Sequence, residues 1–371
     1  MKRATVVLMY SSKTLTNTFE QFLDLSSQIG NDILKTQGAG GNTSLKAEGV
    51  MWIKASGTWL AHAKERDIMV PVLAAPLVDA LRSGDSRADK ATDFIVGSMN
   101  TSSLRPSIET SFHAALPSRV VAHYHCVNTI ALAVLEQREK VLAARMAKIP
   151  DLKWGMVPYR RPGTPLARQI EKIAHRTPDV LILFNHGIIV TGDTAEDVAG
   201  KIGRVSAALA TDPRSTGAPD IAALSAIAKD SAFRPAPDME SHKTALSPLS
   251  MAYALGGSLY PDHVIFLGTE LGVVDPEGSI EAVLNKYRNR NKAAPKLLLV
   301  PGKGILLSNE LAQGGEVMAR CLAEVTARIP EGEKIAYLSE DDEHQLNHWE
   351  AEQYRQTLDR RAPAVFPTIA P

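Results

Sequence analysis

The chain has 371 residues, enough for two units of ordinary domain size, and its 44% hydrophobic content can fill a sizeable core. Lys+Arg and Asp+Glu both number 41, so no net field draws the protein to nucleic acid or an acidic membrane, and an anionic substrate needs a local site. Cys126 and Cys321 are the two cysteines; they exclude a disulfide framework and a thiolate metal cage, and they fit a reducing, cytoplasmic setting.

Lys2-Arg3 and the apolar run 4–10 lack the A-x-A site of a signal peptide and read as an N-terminal strand or arm. No apolar run approaches the roughly 18 residues of a membrane span. Helical periodicity covers 17–34, followed by a glycine-rich turn at 38–41 and strands at 43–46 and 50–54 around Glu48-Gly49. Helices are predicted at 73–82 and 109–116, a strand at 119–125 and a helix at 127–135. Apolar runs 180–184 and 188–190 flank Asn185-His186-Gly187, and Thr194 with Asp197 three residues on starts a helix that runs to 210. Proline-rich stretches then break the pattern, which divides the chain into 1–212, a linker 213–245 and a C-terminal unit 246–371. Beyond the break, strands at 264–267 and 297–300 flank a helix. Helices at 309–328 and 340–358 precede a proline-rich tail.

Several residues along this path carry chemistry. In H-Y-H at 123–125, side chains two apart on a strand share a face, so His123 and His125 can bind one metal ion while Tyr124 turns away. His186, between two strands, can supply a third imidazole and leave an open coordination position, the arrangement of catalytic zinc; an incidental turn histidine is equally compatible with the pattern. In P-S-I-E-T-S-F-H, Glu109 and His113 lie four apart and can pair on a helix, and a carboxylate beside a metal can serve as acid or base. G-A-G-G-N-T-S at 38–44 and A-S-G-T at 55–58 offer backbone N–H groups and hydroxyls to an anion, without the spacing of a nucleotide loop. P-G-K-G at 301–304 reads as a hairpin turn, His344 and His348 as surface residues, and His263 as either a site residue or a strand start.

The order of these motifs resembles the class II aldolase/adducin family. G-G-N-T-S, K-A-S-G-T-W-L, P-S-I-E-T-x-x-H, V-V-A-H-Y-H and F-N-H-G-I-I-V-T-G follow one another between residues 38 and 210. The resemblance implies an α/β fold, with a three-layer α/β/α domain around a largely antiparallel sheet and a smaller C-terminal α/β extension. It further implies His123, His125 and His186 as ligands of Zn2+ or another divalent metal, Glu109 as the catalytic proton carrier, and Gly41, Asn42, Ser56, Gly57 and Ser107 as substrate-binding residues. The phosphate sites of such aldolases carry two successive serines before the Glu, whereas Ile108 follows Ser107 here, which weakens the case for a phosphorylated substrate. Tyr159, in V-P-Y-R-R-P-G-T, stands in a loop like the family's, with no role assigned.

The function so implied is that of a zinc-dependent aldehyde-lyase. It would make or break a C–C bond in a small sugar or sugar-phosphate through a metal-stabilised enediolate, with fuculose-phosphate aldolase and the aldolase part of rhamnulose-phosphate aldolase fusions as likenesses. No nicotinamide cofactor, nucleic acid or membrane partner is expected, and the fourfold rings of relatives imply a homo-oligomer, a tetramer. The alternatives are an epimerase, dehydratase or decarboxylase on the same scaffold, or a non-catalytic adducin-like module.

Overall fold

The computed structural model describes residues 13–275, 278–350 and 358; the expected N-terminal arm and most of the proline-rich tail lie outside them. In chain order the strands are β1 (Asn42–Ala47), β2 (Val50–Lys54), β3 (Met69–Val72), β4 (Val120–Tyr124), β5 (Trp154–Val157), β6 (Val180–Leu183), β7 (Gly187–Gly192), β8 (Phe233–Pro235), β9 (Gly272–Val273), β10 (Leu297–Val300) and β11 (Gly304–Ser308). Among the described residues β3-β2-β1-β4-β7-β6-β5 form one sheet, antiparallel throughout except for β5 beside β6. Glu48 and Gly49 take φ of 50° and 80°, the left-handed pair whose twist suits a two-residue hairpin between β1 and β2.

Alternation along the strands creates the layers. Leu45, Trp52, Ala122, Tyr124, Ile182 and Ile188 face one side, where Phe19, Phe22, Leu25 and Ile29 of helix Lys13–Asn31 pack with helices Val127–Ala133 and Ala195–Leu209. Met51, Ile53, Val121, Leu181 and Ile189 face the other, against helices Ala74–Ser83, Thr110–Ala115 and Thr164–Ala174. Complete burial of a side chain such as Phe22 contributes about 1.5–3 kcal/mol, so each face is held by many such terms. This is the three-layer α/β/α arrangement.

A smaller sheet, β8-β11-β10-β9, carries the C-terminal α/β extension. Leu297, Leu299, Ile305 and Leu307 join the first domain's core through helix Gln313–Arg328, whereas Leu298, Val300 and Leu306 pack on helices Ile221–Ala228 and Ile280–Asn289. Gly302, at φ 70°, lies in the β10–β11 hairpin turn that P-G-K-G foretells.

Helix Ile221–Ala228 and β8, a short edge strand that tolerates its proline, lie within 213–245. Two expectations differ from the structure. The run 264–267 is part of a π-helix, His263–Leu267, rather than a strand, because a short buried apolar run carries no period that separates the two. The predicted helix 340–358 is described as Glu340–Asn347, with a Ser339/Asp342 capping box; residues 351–357 lie outside the described residues. No helix among the described residues is long and apolar enough to cross a membrane.

Candidate metal centre

Backbone pairing brings the three histidines together. His123 lies on β4 with Asn42 of β1 as its partner on one side and Ile189 of β7 on the other. His125 follows just after the strand end, and Tyr124 between them turns into the opposite core. His186 sits in the tight turn from β6 to β7. The positive φ in that turn belongs to Asn185, at 52°, and not to Gly187. Gly187 is needed for another reason: a Cβ there would stand 2.6 Å from the Tyr124 carbonyl oxygen, so only glycine lets β7 approach β4.

One ring nitrogen from each of His123, His125 and His186 lies within 4.8 Å of the others, and all three residues are buried. His123 Nδ1 donates to the Ile188 carbonyl at 3.0 Å, which leaves its Nε2 as a lone pair. His125 Nδ1 meets Asp262 Oδ2 at 2.9 Å and turns its Nε2 to His123 Nε2 at 3.2 Å. Burial, opposed by the attraction of Glu109, brings the His123 imidazole down to about 4, so the ring is neutral near pH 7.

Glu109 closes the group. It immediately precedes helix Thr110–Ala115, with Oε2 3.3 Å from His123 Nε2 and Oε1 3.5 Å from His186 Nε2. Oε1 is buried and accepts no hydrogen bond among the described residues. Asn42 Nδ2 donates to Glu109 Oε2 at 2.8 Å and to Ser107 Oγ at 3.1 Å, while its Oδ1 meets His113 Nε2. The expected Glu109–His113 pairing therefore runs through Asn42. His113, completely buried and held well below the ordinary imidazole range by that burial, is fixed on its other nitrogen by Ser44 Oγ at 2.8 Å.

These atoms fit a cation. With His123 Nδ1 on the Ile188 carbonyl and His125 Nδ1 on Asp262, their two Nε2 atoms face each other at 3.2 Å, and the Glu109 carboxylate faces His123 and His186. Ligands about 2.0–2.1 Å from a tetrahedral ion would themselves stand about 3.3 Å apart. A divalent metal held by His123, His125 and His186 would draw these electron-rich atoms to one point.

A pocket opens on this cluster, lined by Gly41, Asn42, Ser56, Gly57, Ser107, Glu109, His125 and His186 among others. His123 is completely buried and is not among the lining residues. Gly40 and Gly41 let the loop pass close beneath: a Cβ on Gly41, at φ 64°, would lie 2.8 Å from the His123 carbonyl oxygen. A Cβ on Gly57 would meet Leu358 at 2.5 Å, so the C-terminal part reaches the pocket edge.

Two lining residues escaped the sequence reading. Lys54, buried at the end of an apolar strand, donates to the carbonyls of Ala39 at 2.8 Å and Thr58 at 2.7 Å; a lysine closing an otherwise apolar run was the signal. Asp262, between Pro261 and His263, carries no sequence signal of its own. That imidazole is buried outside the pocket lining and accepts from the Leu259 N–H at 3.3 Å. Tyr159 packs on the core and is not among the lining residues, and His344 and His348 are exposed with their rings stacked.

Comparisons with known proteins match the first part of the chain. Residues 24–210, half of the chain, match the Class II Aldolase and Adducin N-terminal domain. An "Uncharacterized oxidoreductase YuxG" of Bacillus subtilis is 29% identical over 191 residues, 48% of this chain but 27% of that protein. An L-fuculose phosphate aldolase of Methanococcus vannielii is 29% identical over 162 residues, 42% of this chain and 75% of that one. The N-terminal class II aldolase domain of a Thermoplasma acidophilum protein superposes with a TM-score of 0.45 at 22% identity, over 54% of this chain and 93% of that one. With its matched domain spanning residues 24–210, the chain belongs to the class II aldolase and adducin family.

Proposed function

We propose that the protein is a divalent-metal-dependent aldehyde-lyase, with zinc the expected ion, that cleaves or forms a C–C bond in a small sugar-derived hydroxy-ketone. The carrying observation is the convergence of the His123, His125 and His186 rings beside the Glu109 carboxylate, at a pocket lined by polar side chains. His123, His125 and His186 are the proposed ligands. A divalent ion held by them would supply Lewis acidity to a substrate carbonyl.

The rest falls to the chain. Glu109, steadied by Asn42, moves the proton at the carbon beside that carbonyl, giving it after cleavage and removing it in the synthetic direction. Ser56, Ser107 and the backbone around Gly41 and Gly57 hold the substrate's far end. Lys54 adds a buried positive charge beside them, which supports an anionic end and offsets the loss of a second serine at Ile108. A ketose 1-phosphate is thus the first substrate to test. We assign catalysis to 1–212, treat 213–245 as the connection, and take 246–371 as the extension. Homotetrameric assembly and cytoplasmic residence complete the reading; two buried free cysteines support the latter.

The experiment is product analysis on zinc-loaded protein with ketose 1-phosphates, run beside Glu109→Gln. Release of two carbon fragments, slowed about 10²–10⁴-fold by the substitution, supports the lyase. One product with an intact carbon chain points instead to an epimerase or dehydratase, and loss of CO2 to a decarboxylase. A protein that takes up no divalent metal is an adducin-like module.

A further inference from the structure

We infer that Asp262, from the C-terminal extension, is a positioning residue of the metal centre, so the extension completes the site instead of only flanking it. The inference rests on the metal-centre reading of the three histidines. Asp262 is 2% exposed and its Oδ2 accepts from His125 Nδ1 at 2.9 Å, across a separation of 137 residues. With the proton held on Nδ1, His125 can present only Nε2 to the common point, where His123 Nε2 lies 3.2 Å away. A carboxylate behind a ligating imidazole fixes its tautomer, locks its rotation and raises its basicity. His123 receives a weaker version of the same support from a backbone carbonyl.

The peptide that bears Asp262 is itself anchored to the ligand-bearing turns. Asn185, next to His186, donates to the carbonyls of Leu259 at 3.1 Å and Ala336 at 2.7 Å, both in the extension. Arg138 donates to the Asn185 side-chain oxygen at 3.0 Å and sets the amide's orientation. Asp262 continues directly into the π-helix His263–Leu267, whose apolar side chains are all buried in the shared core. Two of the three histidines are therefore tied to the extension, one through its ring and one through its neighbour. The sheet domain alone would leave His125 Nδ1 without this carboxylate.

The test is a cobalt(II) titration of the metal-free 371-residue chain, read by visible absorption and by competition with a chelator of known affinity. Wild type, Asp262→Ala and Asp262→Asn are compared, with thermal unfolding of each metal-free form as the control for folding. Asp262→Ala should weaken metal binding about 10–100-fold and alter the cobalt spectrum. Asp262→Asn, whose amide oxygen still accepts from Nδ1 but carries no charge, should restore most of the spectrum with affinity lowered toward about tenfold. Wild-type affinity and spectrum in Asp262→Ala would overturn the inference, as would unchanged affinity in Asp262→Asn should the alanine variant fail to fold. Absence of cobalt binding by wild type would overturn the metal-centre reading itself, and the inference with it.

Discussion

Asn42 and His123 are direct cross-strand partners on β1 and β4, and Asn42 donates to the carboxylate of Glu109 at 2.8 Å. One amide thus spaces the proposed proton carrier from the metal ligand beside it. Its own oxygen is held by His113, so the amide cannot flip without losing that bond. A charge-assisted hydrogen bond of this kind contributes about 1.5–3 kcal/mol. Asn42→Ala should therefore slow substrate proton exchange into deuterated solvent about 10–100-fold while metal content stays at the wild-type level. Exchange at the wild-type rate would remove Asn42 from the site.

His123 is the most enclosed of the three proposed ligands, and its Nδ1 is committed to Ile188. His123→Ala should lower bound metal and turnover together, by at least about 100-fold in affinity, since two imidazoles remain of three. Elemental analysis of protein dialysed against zinc measures the first and product assay the second. Full occupancy with normal turnover contradicts the ligand assignment.

Acid should destabilise the metal-free protein before its carboxylates titrate. Burial brings both His123 and His263 down to about 4, whereas an unfolded imidazole titrates near about 6.5. The folded value is the lower one, so the unfolded chain takes up protons first as pH falls. The stability linked to each ring is complete above about pH 6.5 and is lost between there and about 4, roughly 3 kcal/mol per group. The urea midpoint should fall from pH 7 to 4.5, and His263→Asn, whose amide oxygen can still accept from Leu259, should flatten that slope. An identical slope in the variant would refute the assignment.

Gly41 and Gly49 both have positive φ, at 64° and 80°, but only Gly41 is crowded. An alanine Cβ at Gly41 would lie 2.8 Å from the His123 carbonyl, while Gly49 has open space around it. Gly49→Ala should cost about 1–2 kcal/mol for the left-handed backbone alone, and Gly41→Ala about 2–4 kcal/mol. Equal losses in denaturant titrations would show that close approach at Gly41 is immaterial.

Much of this protein is local and therefore legible in its sequence. Short apolar runs mark β2 and β4; Glu48-Gly49 marks the hairpin between β1 and β2; Thr194 marks a helix start that its hydroxyl does cap, accepting from the Asp197 N–H at 3.1 Å. The side-chain types of the site, three histidines and a glutamate, are visible for the same reason. Other features were settled only by folding. Whether 264–267 is strand or helix depends on what surrounds it, because apolar content without a period fits both. Asn42 between Glu109 and His113, and Asp262 behind His125, are joined by hydrogen bonds across 67, 71 and 137 positions. Periodicity and turn chemistry reach a few residues along the chain; pairing of buried polar groups is decided by which strands and segments the core brings side by side.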